Sequence, residues 1–513
     1  MKSKIITTIL MPCLFLAAFY VFPSYAHGDD LKSRLTAQIN QFQTKHSKGK
    51  NAKKPEISVS IIDVKSGASL FRYNADQALS AASITKLTTT YAVLKLLGVN
   101  YKFNTEIFAD KTLHESAADD NIGDVGNLYI RGYGDPSLVN EILWDWTNSI
   151  KELGVTEVAN IVIDDSLFIE PRKALGWESY NSGLSATSFN FNSYSFEISP
   201  TAAKKPALIS VSPGLPMVIE NHVTTGSKTK ISMSYVPFPK TKQQPDSSGF
   251  TKLGTIGKLV FKGTIKEKGN PFVGYRSFPD DLTNYYGSAF AHFLKLNGIK
   301  VTGGVYKGTI PQKATRIHTF KSKLLADILS DLNKFSNNII ASQLIYAIGQ
   351  DSNGYFYFDL GLKRLANVLQ ATGIEPGTYS IVDGSGLDRE NKLSANHVSK
   401  VLLATARDQS IAPTFMNSLA RFKDTGTLSK RSVFFNGRAK HRNNGMDKNR
   451  LKLIEESIWA KTGTLTGVSS LAGYLVNADK KRIIFTIIIN GYIPKADMAA
   501  FEEDILSTII QAE

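Results

Sequence analysis

Hydrophobic and polar positions follow two periods along this chain, and the change of period divides it. Leu31, Leu35, Ile39 and Phe42 recur at helical spacing and predict an amphipathic helix over 31–45. A polar, basic loop follows at 46–54. Residues 57–75 then alternate with period two around Ser66-Gly67, which predicts a strand, a turn and a strand. Helical spacing returns over 80–100. There Leu87, Tyr91, Leu94 and Leu97 share a face, and Gly98 stands where a C-terminal cap belongs. A hairpin followed by this helix predicts a sheet packed on helices.

From about 105 to 317 the pattern changes to short strands rich in Gly, Pro and Lys. Residues 128–138 read as a strand entering a turn. Ile161-Val162-Ile163-Asp164-Asp165 reads as a buried strand ending in acids, and 200–257 as short strand pieces between polar turns. Residues 286–308 read as a helix, then Gly298 and a strand. After 318 the helical period resumes in 321–349, as two segments meeting at Ser336-Asn337-Asn338, and again in 356–372 and 394–406. Residues 459–475 and 481–489 predict two adjacent strands, and 496–511 a closing helix. The strand-rich middle, 105–317, is thus an insertion with a second insertion nested inside it. No fixed-period repeat is present.

Residues 1–26 have the form of a secretory signal. Lys2 and Lys4 precede an apolar run over 5–22, and Ser24-Tyr25-Ala26 is a small-x-small cleavage site. Pro12 breaks the run, which is only just long enough to span a bilayer, so no stable membrane anchor is expected. Cys13 is the single cysteine and lies inside this segment, which excludes disulfides and thiolate metal sites from the exported chain. At 513 residues the chain exceeds one core. Its net charge of +15 suits anionic polymers at a cell surface. Nucleic acid is not the expected partner, because no helix-turn-helix, zinc-finger or RNP pattern is present. Nine basic side chains over 430–452 form a further basic stretch.

Ser83-Ile84-Thr85-Lys86 places a hydroxyl and an amine three residues apart, hence on one helix face. A serine hydroxyl becomes a nucleophile when a neighbouring base takes its proton. Lysine is that base only if its pKa falls from ~10.4. The tetrad recurs at 47–50 and 227–230, both in Lys-rich loops without apolar periodicity. What carries weight is order: Ser83-x-x-Lys86, then Ser336-x-Asn338 at a helix junction, then Lys461-Thr462-Gly463-Thr464 on a strand. A Ser-His-Asp hydrolase lacks its G-x-S-x-G here, and a zinc peptidase its H-E-x-x-H, so no metal or cofactor is expected.

That order is shared by penicillin-binding proteins and serine β-lactamases. The long insertion adds to it, as do Gly134-Asp135-Pro136-Ser137-Leu138, Asp164-x-Ser166-x-Phe168, Asp383-Gly384-Ser385-Gly386-Leu387 and Leu471-Ala472-Gly473-Tyr474. With these the chain resembles the class C low-molecular-mass penicillin-binding proteins, the D-alanyl-D-alanine carboxypeptidase/endopeptidases also called penicillin-binding protein 4. The resemblance implies an α/β (α+β) serine β-lactamase/transpeptidase-like domain with two nested, mainly β inserted domains. The catalytic domain would be 27–104 with 318–513, the second domain 105–195 with 258–317, and the third 196–257.

The resemblance also implies acyl transfer to Ser83 from peptidoglycan stem peptides, with β-lactams as covalent inhibitors and a periplasmic location. Lys86 would be the base, its pKa lowered with help from Lys461 across the cleft. Ser336 would relay a proton, and Asn338 would bond the substrate amide. Thr462 with Lys461 would take the terminal carboxylate, and the backbone N–H groups of Ser83 and Thr464 the oxyanion. Gly463 would leave room for the substrate backbone, and Asp164 is a candidate for the substrate's amino group. The rivals are a β-lactamase and a non-catalytic wall-binding protein that keeps the fold.

Overall fold

The central sheet grows from two runs that are apolar on both faces. Arg482–Asn490 is buried from Ile483 to Ile489, and Val468–Val476 from Val468 to Leu475. Strands of this kind must be covered on both sides. The computed structural model, which describes residues 26–48, 53–113, 123–174, 176–239, 244–279, 281–434 and 447–512, shows how. The sheet runs Ser69–Tyr73, Glu56–Asp63, Arg482–Asn490, Val468–Val476, Trp459–Leu465, Ala420–Arg421, all antiparallel. Ile483, Phe485, Ile487 and Ile489 pack in one layer with Leu35 and Ile39 of helix Ala26–His46 and Phe501 and Ile505 of helix Lys495–Gln511. Ile484 and Ile488 enter the opposite layer, with helices Lys86–Leu97, Leu325–Phe335, Asn338–Ala347, Phe358–Gln370 and Ala395–Arg407. The result is a helix–sheet–helix sandwich. Residues 459–475 are a hairpin rather than one strand: Leu465 pairs Val468 across Thr466-Gly467, and Gly467 takes a positive φ of 72°. Thr-Gly is a weaker hairpin signal than Asn-Gly, and the continuous apolar run hid the turn.

A second six-stranded sheet occupies the insertion. Its order is Thr251–Lys252, Val305–Lys307, Ile161–Asp164, Leu128–Gly132, Asn104–Ala109, Thr315–Lys321. The middle three strands are parallel. Helices Asn140–Glu152 and Leu282–Leu296 pack into the core of this region. The chain enters on Asn104–Ala109 and leaves on Thr315–Lys321, and these two strands pair with each other. The exit strand therefore runs across the expected limit at 317/318. Two three-stranded sheets lie inside: Leu208–Val211, Ser193–Ser199, Phe272–Ser277, and Val218–Gly226, Gly257–Lys266, Lys230–Pro237. Their strands cross the expected limits at 195/196 and 257/258, because pairing partners distant in sequence set the ends of a strand. Residues 1–25 of the expected signal and 435–446 of the basic stretch lie outside the described residues. Among the described residues no helix is long and apolar enough to cross a membrane.

Candidate active site

Ser83 sits in a 3-10 turn, Ala82–Thr85, and the α-helix proper begins at Lys86. The preceding Ala82 has a φ of +49°. A left-handed backbone at a residue with a Cβ costs ~1–2 kcal/mol and needs support. Ser470 Oγ supplies some of it by donating to Ala81 O at 2.7 Å. Gly386 packs behind: a Cβ there would lie 1.9 Å from Ala82 O. Thr88, Thr89 and Thr90 are fully buried, although β-branched residues favour helix weakly. Thr89 Oγ1 donates to Gly384 O at 2.7 Å and Thr90 Oγ1 accepts from Asn333 Nδ2 at 3.0 Å, so tertiary contacts hold this helix.

Lys86 is fully buried. Its Nζ contacts Ser83 Oγ at 3.0 Å, Asn338 Oδ1 at 2.7 Å and Ser385 O at 2.7 Å. The last two can only accept. A neutral amine has two N–H groups for them, and its lone pair is left for the Ser83 hydroxyl proton. Burial pushes the Lys86 pKa down to about 7, against a smaller opposing pull from the Asp383 carboxylate. Burial is the leading cause of that shift. The repulsion between the two amines is felt at Lys461, whose pKa burial first and Lys86 second hold well below the lysine range.

The helix junction divides its labour over three residues. Ser336 closes one helix in a left-handed conformation, φ 59°. Asn337 caps the next by accepting from Ile340 N at 3.0 Å. That leaves Asn338 free to reach Lys86, while its Nδ2 donates to Tyr180 O at 3.3 Å. Lys461 Nζ donates to Ser336 Oγ and to Thr462 O, both at 2.8 Å. Ser83, Lys86 and Asn338 thus form one hydrogen-bonded group and Ser336 and Lys461 a second, and charge repulsion between Lys86 and Lys461 couples the two.

The strand Trp459–Leu465 presents a free edge here. Its outer neighbour, Ala420–Arg421, pairs only Ala460 and Trp459, so among the described residues Lys461 to Leu465 have no strand partner on that side. Thr462 Oγ1 donates to Thr427 Oγ1 at 2.9 Å. A Cβ on Gly463 would meet Ser470 Oγ at 2.2 Å and Ser83 N at 2.9 Å, so only glycine lets the strand pass this close to Ser83. Thr464 is exposed on the same edge.

Asp164 is not brought to this cluster. It is fully buried, its Oδ2 accepts from Arg131 at 2.9 and 3.1 Å, and its Oδ1 accepts from Ser166 Oγ at 2.6 Å. Ile310 N donates to it as well, at 3.3 Å. With its lone pairs taken, the carboxylate ties the inserted sheet together and has no lone pair left for a substrate amine. Arg431 leaves the expected basic surface in the same way: it is clamped between Glu502 at 2.8 Å and Glu503 at 3.1 Å. Sequence reading missed Thr427 and the Ser385 carbonyl, since nothing local distinguishes an exposed threonine or a backbone oxygen.

A family model described as D-Ala-D-Ala carboxypeptidase 3 (S13) matches residues 44–508. The chain belongs to that family. As a member of the S13 family it is a serine-type D-Ala-D-Ala carboxypeptidase. The D-alanyl-D-alanine carboxypeptidase of Actinomadura sp. (strain R39) is 28% identical over 458 residues, covering 86% of this chain and 79% of that protein. D-alanyl-D-alanine carboxypeptidase DacB of Haemophilus influenzae is 26% identical over 434 residues, 82% of each chain. The crystal structure of penicillin binding protein 4 (dacB) from Haemophilus influenzae shares the fold, with a TM-score of 0.71 at 22% identity over 92% of this chain and 99% of that one. The same protein complexed with a novel β-lactam gives 0.68 at 21% identity, with the same coverage.

Proposed function

We propose that Ser83 is the nucleophile of this S13 enzyme and attacks the carbonyl of the penultimate D-alanine in peptidoglycan stem peptides and cross-links. The observation that carries this reading is the Lys86 amine, buried without an ion-pair partner among the described residues and aimed at Ser83 Oγ at 3.0 Å. Neutral Lys86 takes the Ser83 proton as the Oγ–C bond forms. The substrate backbone extends along the open edge from Lys461 to Leu465 as an added strand. Its terminal carboxylate meets Lys461 and Thr462. Arrival of that anion raises the Lys461 pKa and keeps the proton there, which leaves Lys86 the neutral amine of the pair. The N–H groups of Ser83 and Thr464 receive the oxyanion.

When the C–N bond breaks, the proton held on Lys86 returns to the leaving amine. Ser336 Oγ, held by Lys461, is the hydroxyl placed to pass it on. Lys86 is then neutral again and takes a proton from the water that attacks the acyl-enzyme. The expelled Ser83 oxygen recovers that proton. A β-lactam enters by the same first step and stays attached. Residues 1–26 direct export, with cleavage after Ala26, and place the enzyme in the periplasm. The discontinuous three-domain division remains the best reading of the sheets, with 104 and 321 as the limits of the insertion.

The test is incubation of the mature chain with a fluorescent penicillin, with mass readout, beside Ser83→Ala. A one-to-one adduct on wild type alone supports the proposal. No adduct on folded wild type overturns it, and rapid drug turnover without accumulation moves the assignment to β-lactamase.

A further inference from the structure

Two chambers flank Asn338 and Tyr180, and their chemistry differs. One, of about 220 Å³, is lined by Arg172, Lys173 and Asp383. The other, of about 420 Å³, opens at the Ser336–Asn338 junction and runs into the inserted region. Among its lining residues Glu141 alone carries a charge. The rest of the polar lining is hydroxyl and amide: Ser179, Ser193, Ser195, Ser212 and Asn140 among them. Tyr180, Tyr275 and Phe335 stand at this chamber with exposures of 52, 59 and 68%. Aromatic faces left in water beside neutral donors and acceptors match a ligand with C–H faces and many hydroxyls.

The wall of this chamber is built at a cost in backbone strain. Asn190, Phe191 and Asn192 are consecutive and left-handed, with φ of 49, 53 and 54°. Asn190 holds the turn through Asn140 Oδ1 at 3.0 Å and Tyr285 at 3.2 Å. Asn192 holds it through Gly183 O at 2.7 Å. Asn190 and Phe191 both line the chamber. A strained turn so fully tied down keeps a fixed shape beside the catalytic cluster.

We propose that this chamber is a saccharide subsite, which takes the neutral N-acetylated glycan that carries the scissile peptide. The inference rests on the peptidase reading above for its substrate, but not for its binding test. Stem peptides bear ionised carboxylates, which the near-uncharged lining does not complement. The glycan, amide-linked to the stem, offers the neutral hydroxyls and acetamides that it does complement. Cleavage is then favoured on peptide still attached to sugar.

Two measurements test this. Full-length mature Ser83→Ala protein is titrated with tetra-N-acetylchitotetraose by calorimetry and by NMR. Saturable binding is expected, weakened about two- to tenfold by Tyr275→Ala, an aromatic-contact-sized loss. Wild type and Tyr275→Ala are then compared on one stem peptide with and without its N-acetylglucosaminyl-N-acetylmuramyl disaccharide. The expected result is a lower KM for the sugar-bearing substrate in wild type and a KM ratio that collapses toward unity in the variant. Absence of chitotetraose binding, in a protein whose wild type is still acylated by penicillin, overturns the subsite and leaves the peptidase reading intact. A rise in both KM values together, with the ratio unchanged, also overturns it, because the chamber then takes peptide. Loss of penicillin acylation in wild type would strike the peptidase reading, while the chitotetraose titration still reports on the groove.

Discussion

Among the described residues Lys86 and Lys461 are fully buried cations and Arg431 a largely covered one, and they are treated in opposite ways. Arg431 is clamped to Glu502, which is fully buried, and to Glu503. Lys86 and Lys461, both fully buried, have no ion pair among the described residues and rest on hydroxyls, an amide and carbonyl oxygens. A paired buried charge is fixed in place and its proton cannot be used. An unpaired buried amine is costly, and its pKa falls until the proton becomes exchangeable near neutrality. The contrast teaches where the chain spends stability to obtain chemistry. The Arg131–Asp164 pair belongs with Arg431, on the scaffold side.

Replacing one member of each class gives the widest separation. Lys86→Met should lower the rate of penicillin acylation by about 10²–10⁴-fold, the range for a positioned base. Its melting temperature should hold or rise, because methionine fills the space without a charge to desolvate. Arg431→Met should do the reverse. It strands two carboxylates and should cost about 3–5 kcal/mol in chemical denaturation, with acylation of the remaining folded protein near wild type. If both variants lose stability alike, the comparison fails.

The pH dependence sharpens it. The Lys86 pKa is lowered to about 7, and in the proposed mechanism the neutral form is the active one. Acylation should therefore rise with pH and level off above about 7, falling about tenfold per unit well below that value. A plateau extending down to pH 5 would mean that Lys86 is not the base. The pH at which acylation is half-maximal should stay put in Asp164→Asn, since that carboxylate has no contact with the cluster. Asp164→Asn should instead lose stability by about 1–3 kcal/mol, the penalty for leaving Arg131 poorly paired.

How much of this was legible in the sequence depends on how local the cause is. Ser83 and Lys86 are three residues apart, so helical spacing alone put them together. The sequence reads Gly463 as room for the substrate backbone, and the structure adds a separate reason for glycine there: a Cβ would meet Ser83 N. Asp164 could not be read correctly from its neighbours. Its partner Arg131 lies on the adjacent parallel strand, in register opposite it, and no local pattern reports that. The same holds for the ends of the inserted strands, which their pairing partners decide. At the helix junction the motif named Asn338 and passed over Asn337, yet Asn337 does the capping that frees Asn338 for Lys86.

Thr427 gives the smallest and most specific effect. It lies on an exposed turn and takes one hydrogen bond from Thr462 Oγ1 at 2.9 Å. The turn is held against helix Leu325–Phe335, since Gly426 has a φ of +61° and a Cβ there would lie 2.2 Å from Lys334 O. In the proposed complex this bond reverses: Thr427 donates to Thr462 Oγ1, which frees the Thr462 proton for the substrate carboxylate, so Thr427 acts as a positioning residue. Thr427→Val keeps the shape and removes one neutral hydrogen bond, worth about 0.5–1.5 kcal/mol, or two- to tenfold in kcat/KM. The loss should appear on a peptide ending in free D-alanine and be absent on the same peptide with an amidated end, because only the former presents the anion. An equal loss on both would mean that Thr427 supports the strand edge as a whole, and Thr462 would then need another partner to orient it.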